Sequence, residues 1–136
     1  MIGLVAQLLL GDDHNAGLGL LEGARGVREG APTTDELFAR LRQSDPALVS
    51  AAYASETYDA VILVALAAEL AGDDSGARLA PYVRDAASEG IACSSFGECM
   101  AVLATEPQAE YQGLSGPVTF TEQSGVIDGA VSLYQY

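Results

Sequence analysis

The sequence predicts an α/β domain in which helices are layered on a mainly parallel sheet. Three observations carry that expectation: extended apolar segments at both ends of the chain, several capped helical segments between them, and the composition of a folded domain. The 136 residues are 49% hydrophobic and 18% charged, with 15 Gly and 5 Pro. That excludes a collagen-like chain, a disordered tail or a low-complexity segment.

Ile2 to Leu10 reads as a mostly apolar strand that breaks at Gly11-Asp12-Asp13-His14-Asn15. Asn15 to Glu22 is glycine-studded and fits neither period. A short strand around Ala24 to Val27 runs into Glu29-Gly30-Ala31-Pro32, where glycine and proline end regular structure. Thr33-Thr34-Asp35-Glu36 then has the spacing of a capping box, with Thr33 as the cap and Glu36 reaching back. Leu37, Phe38 and Leu41 share one face of the helix that follows. Asp45-Pro46 stops it, because a residue before proline leaves the helical region. A second short helix is expected over Ala47 to Ala52.

Ser55 is the expected N-cap of the next helix, Glu56 and Asp59 suit the positive end of its dipole, and Gly72 supplies the stop. Ala60 to Ala68 between them is apolar on nearly every face. Such a helix is expected to be covered on most sides, as the central element of its domain. Asp73-Asp74-Ser75-Gly76 opens a further helix with Leu79, Val83 and Ala86 on one stripe. Ser95 and Glu98 form a second capping box, and Phe96, Cys99, Met100 and Leu103 recur at helical spacing. Gly116 to Thr121 reads as a strand entered through a turn. Ala130 to Tyr136 reads as a final half-buried strand, with Val131 and Leu133 inward and Ser132 and Tyr134 outward.

Charge narrows the partners. Six Arg and no Lys stand against 19 acidic residues, a formal charge of −13. Phosphate backbones and anionic membrane surfaces are held by Lys and Arg, so neither a nucleic acid nor a membrane is an expected partner. Ala60 to Ala68, the longest apolar run, is far short of the ~18–20 residues that span a bilayer, so no direct membrane insertion is expected.

Catalytic material is sparse. His14, the single histidine, sits in a polar turn with Asp12 and Asp13, and no P-loop, dinucleotide fingerprint or H-E-x-x-H is present. Asp73 and Asp74 are explained by helix capping. No enzyme, cofactor or metal is therefore expected. Cys93 and Cys99 have five residues between them, a spacing that favours a structural disulfide over a two-residue redox motif or a four-ligand zinc site. Two reduced thiols are the alternative reading. If formed, the bridge clips a loop to the first turns of a helix and implies an oxidising compartment, periplasmic or extracellular.

Two segments carry a family resemblance. Tyr53-Ala54-Ser55-Glu56-Thr57-Tyr58-Asp59-Ala60-Val61 resembles the Tyr-x-x-x-x-Tyr-Asp-Ala-Val helix of type 1 periplasmic substrate-binding proteins, the branched-chain amino-acid receptors of ABC transporters. Tyr111-Gln112-Gly113-Leu114-Ser115-Gly116-Pro117-Val118-Thr119-Phe120-Thr121 resembles that family's Tyr-x-Gly-x-Ser-Gly-Pro-(apolar)-x-Phe-Asp segment, and Tyr134-Gln135-Tyr136 its closing strand. Gly90 to Cys99 looks like the cysteine-bearing insertion of some extracellular members. The order and spacing agree over roughly Glu22 to Tyr136.

The resemblance implies one part of a two-lobed fold in which a solute is held between lobes joined by a hinge. Residues 1–28 would complete the second lobe, 29–126 would be the C-terminal part of the first, and 127–136 the returning strand. It implies a C-terminal portion of a longer receptor, with a lipoprotein anchor at full length as one form, that delivers an amino acid or similar small polar solute to an ABC permease. Where the family shows Gly-x-Asp-Gly, this chain has Gly11-Asp12-Asp13-His14, so Asp13 takes the acidic position that pairs with a ligand's ammonium. Tyr58 is placed near the cleft. The alternative is a ligand-sensing or interaction domain of the same architecture without transport.

Overall fold

A computed structural model describes residues 22–120 and 130–135. The expected strand Ile2 to Leu10, the turn holding Asp13 and His14, and Thr121 lie outside the described residues. The chain divides into two compact units, Met1–Glu29 with Val131–Tyr136, and Gly30–Ala130.

In the first unit, β1 (Arg25–Glu29) pairs antiparallel with β5 (Val131–Gln135), Val27 opposite Leu133. The facing of β5 is the reverse of the expected one. Ser132 is buried, whereas Val131 and Leu133 are 66% and 83% exposed. The cause lies across the ribbon: a β-carbon on Gly26 would overlap the Tyr134 ring, so the face carrying Tyr134 and Ser132 is the closely packed one.

The second unit is mixed α/β. It holds α1 (Asp35–Ser44), α2 (Ala54–Ala71), α3 (Gly76–Asp85), β2 (Ile91–Cys93), α4 (Phe96–Leu103), β3 (Ala109–Gly113) and β4 (Gly116–Pro117). β2 and β3 run parallel with α4 as their crossover, and β4 turns back antiparallel on β3. Strand β2 and the full extent of β3 have no counterpart in the sequence reading. β2 has only three residues, too few to show a period, whereas β3 alternates, with Ala109 and Tyr111 buried beside half-buried Glu110 and Gln112, but over only five residues.

Helix boundaries follow local chemistry, with shifts of one residue at the caps. Thr34, not Thr33, caps α1: its hydroxyl accepts from the Leu37 N–H, while Thr33 Oγ1 donates to the Ala51 carbonyl at 2.7 Å. Asp45 ends α1 as expected. The helix expected over Ala47 to Ala52 is absent, because Asp45 Oδ1 and the Asp45 carbonyl take the Ala47 and Leu48 N–H groups in a turn. Ser95 caps α4 as expected, but Glu98 reaches one residue further back and receives both the N–H and the hydroxyl of Ser94. Those two bonds hold the Glu98 carboxyl below its ordinary range.

Helix α2 departs from its expected start and surroundings. Tyr53, at φ 60°, precedes its first turn in the left-handed region, and Ser55 lies inside the helix, fully buried. Gly72, also left-handed, closes the helix as expected. Ser55, Asp59, Leu63, Leu66 and Ala67 form its buried face. Val61 and Val64 are exposed, so the helix is not covered on most sides. An all-apolar sequence does not specify which stripe is buried; here the packing against α3, α4 and β3 decides it.

The core gathers Leu63 and Leu66 from α2, Ala86 beyond α3, Cys93, Cys99, Ala109 and Tyr111. Phe96, Met100 and Leu103 pack against it, as the helical spacing of α4 predicted. Cys93 and Cys99 are joined in a disulfide, with Cα atoms 5.1 Å apart and both residues buried. It ties the end of β2 to the second turn of α4. The bridge closes a small loop, so its removal is expected to cost about 2 kcal/mol. Urea unfolding of the Cys93→Ala, Cys99→Ala variant against the oxidised protein measures this; equal midpoints would show that packing alone holds the crossover.

Candidate functional site

The site is built around one carboxylate. Asp59 is on the buried face of α2, one turn beyond Ser55 and one before Leu63, and is 3% exposed. Its Oδ1 accepts from the Tyr111 hydroxyl at 2.7 Å and from the Leu114 N–H at 2.8 Å. Its Oδ2 accepts from the Ser115 N–H at 2.8 Å and from Ser115 Oγ at 2.5 Å. Four donors converge on two oxygens, which is how a carboxylate is accommodated inside a protein without a cation. The tight turn between β3 and β4 is thereby fastened to α2.

Each neighbour in this turn has a physical reason. A β-carbon on Gly113 would overlap the Asp59 carboxylate, so only glycine admits the close approach. Gly116 takes φ 113°, a conformation that other residues adopt at a cost. Tyr111 is 1% exposed, and its N–H also donates to the Ala86 carbonyl at 3.1 Å. Burial pushes the Tyr111 phenol far above its ordinary value, and its hydrogen bond to Asp59 and that carboxylate's charge push it further.

Beside this lock lies a cavity of about 390 Å³. Ala60, Leu63 and Val64 of α2, Val83 of α3, and Pro117, Val118, Phe120 and Ala130 give it apolar walls. Glu56, Asp59 and Ser115 are its polar wall residues. Glu56 Oε1 accepts the Ala31 N–H, which fixes the segment after Gly30 to the start of α2. Glu56 Oε2 and Ser55 Oγ are buried without a hydrogen-bond partner.

Tyr58 is half-buried, with the Arg40 guanidinium 6.0 Å from its ring centroid, and is not among the residues lining the cavity. Asp13, the other residue assigned to ligand contact, lies outside the described residues. Among the described residues no group of three or more His, Cys, Asp or Glu could hold a metal, and no helix is long and apolar enough to cross a membrane. Sequence reasoning assigned Asp59 to the helix dipole alone. The signal for more was a carboxylate in an apolar helix with the Tyr-x-Gly-x-Ser-Gly segment some fifty residues later. The cavity left no comparable signal, since its wall comes from four separated stretches.

Comparison of the chain with protein-family models, curated proteins and solved structures returns no match.

Two outcomes follow from the lock. Asp59→Asn keeps one carbonyl oxygen but turns an amide NH₂ toward one pair of donors, and is expected to lower stability by about 3 kcal/mol in denaturant titration. Gly113→Ala acts in the same direction, because Asp59 is held by four bonds and is not free to yield. The raised Tyr111 value also sets an alkaline limit. The unfolded phenol ionises near its ordinary value of 10.0, while the folded one stays protonated there. Stability is therefore full below pH 10 and is lost as pH rises from there toward the folded value. Tyr111→Phe removes that part of the alkaline dependence, and unfolding midpoints measured at several alkaline pH values test it.

Proposed function

We propose that this chain belongs to the extracytoplasmic solute-binding component of an ABC transporter, capturing an amino acid or similar small polar solute. The observation that carries the reading is the Asp59 lock. The two segments that resemble type 1 substrate-binding proteins are some fifty residues apart, yet Asp59 of the first receives Tyr111, Leu114 and Ser115 of the second. The resemblance therefore falls on residues that act together rather than on two coincidental strings.

In this reading the second unit contributes to a first lobe and the β1–β5 pair to a second, the sheet of the whole being mainly parallel. The chain performs no chemistry on its solute; lobe closure holds the solute and presents it to the permease. Asp13 receives the solute's ammonium, and Tyr58 lies near the cleft. The Cys93–Cys99 disulfide is compatible with an oxidising compartment, as a periplasmic or extracellular protein requires.

The test is uptake. Cells lacking the gene should lose accumulation of at least one labelled amino acid or related polar solute, and restoring the gene should return it. Cell fractionation should find the protein outside the cytoplasm with both cysteines oxidised. Unchanged uptake across the full set of amino acids, or a cytoplasmic location, would sink the transport reading.

A further inference from the structure

We propose that the cavity between α2, α3 and residues 115–120 is a binding site for a primary amine with a compact apolar body. Three polar side chains line it, and they differ in what they can still accept. Both oxygens of Asp59 are occupied by four donors, and Ser115 has its hydroxyl hydrogen directed to Asp59. Glu56 has only Oε1 engaged, by the Ala31 N–H, and Oε2 is shut from water with no donor. A carboxylate oxygen in that condition is destabilised by the hydrogen bond it lacks. An ammonium supplies both the donor and the countercharge, once the Glu56 carboxylate turns toward the cavity that its side chain lines.

The walls decide the remainder of the ligand. Leu63, Val83 and Phe120 face the cavity, and no Arg, Lys or His is among the lining residues described. A ligand carboxylate would meet the carboxylates of Asp59 and Glu56 and no cation among the described lining residues. The site therefore selects a simple amine against the corresponding zwitterionic amino acid. The volume of about 390 Å³ lies within the range of small-ligand sites and suits a single aromatic ring or short aliphatic chain. The formal charge of −13 raises the local concentration of any cation near the surface.

All of the described residues lining this site belong to the second unit, and the site does not rest on the transport reading; an uptake assay and a binding assay can fail separately. Calorimetry of the full chain with phenethylamine, phenylalanine and phenylacetate at neutral pH tests it. Phenethylamine should bind, and phenylalanine and phenylacetate should bind at least about tenfold more weakly. Glu56→Gln retains an acceptor for the Ala31 N–H and removes the charge, and should weaken phenethylamine about tenfold or more, the value of one charge-assisted hydrogen bond. Ala60→Phe, at an exposed position on the cavity wall, should block binding with Glu56 intact, which keeps the test valid if the Glu56 variant fails to fold. No heat with phenethylamine at millimolar concentration, equal affinity for phenylalanine, or undiminished affinity in a folded Glu56→Gln or Ala60→Phe protein would overturn the proposal.

Discussion

A buried carboxylate with no cation beside it must be surrounded by donors, and the second unit is organised around meeting that requirement at Asp59. The demand is geometric. Two N–H groups and two hydroxyls have to point inward at distances of 2.5 to 2.8 Å. Successive N–H groups of a strand point to opposite sides, whereas a tight turn can aim two of them at one carboxylate, so Leu114 and Ser115 occupy the connection between β3 and β4 rather than the ladder itself. Tyr111 then has to stand on the inward face of β3, which sets the strand's facing. Its N–H bond to Ala86 in turn fixes the chain leaving α3. One side chain thus couples α2, the end of α3 and the β3–β4 hairpin.

The sequence reveals elements more readily than their surroundings. Gly72, Asp45-Pro46 and Ser95 mark helix ends through local chemistry, and α4 shows its inner face in Phe96, Cys99, Met100 and Leu103. These features depend on neighbours within a turn or two. The start of α2 does not: Glu56 takes the Ala31 N–H and Thr33 takes the Ala51 carbonyl, both tertiary contacts across eighteen or more residues. Ser55, a fitting cap by residue type, is drawn into the core, and Tyr53 takes the left-handed turn instead. The facing of β5 has the same character. Val131 and Leu133 read as the inner pair until Tyr134 is found opposite a glycine with space for its ring.

Helix α2 shows why the cavity was harder to read than the fold. When every side of a helix is apolar, periodicity carries no information about which side meets the core. Polar residues within the run become the better guide. Ser55, Asp59 and, further on, Leu63 and Leu66 define the buried stripe because Asp59 must reach Tyr111 and Ser115. Ala60 and Val64 are left on the flank, where they meet Val83 and the chain around Pro117 and Phe120 to enclose a space. Glu56, one turn before Ala60, lines that space while one of its oxygens holds Ala31.

The same geometry distinguishes two kinds of information in the paired motifs. Tyr111, Gly113, Ser115, Gly116 and Asp59 are all accounted for by the lock: one hydroxyl donor, one close approach, one turn, one positive φ and one acceptor. None of them needs a ligand to explain its identity. Chains that share these residues at this spacing have a common reason to share a helix-to-hairpin fastening, whatever each one binds. Specificity has to be encoded in side chains that the lock leaves uncommitted, and Glu56 is the nearest of these, with one oxygen given to the fold and the other to none of its neighbours.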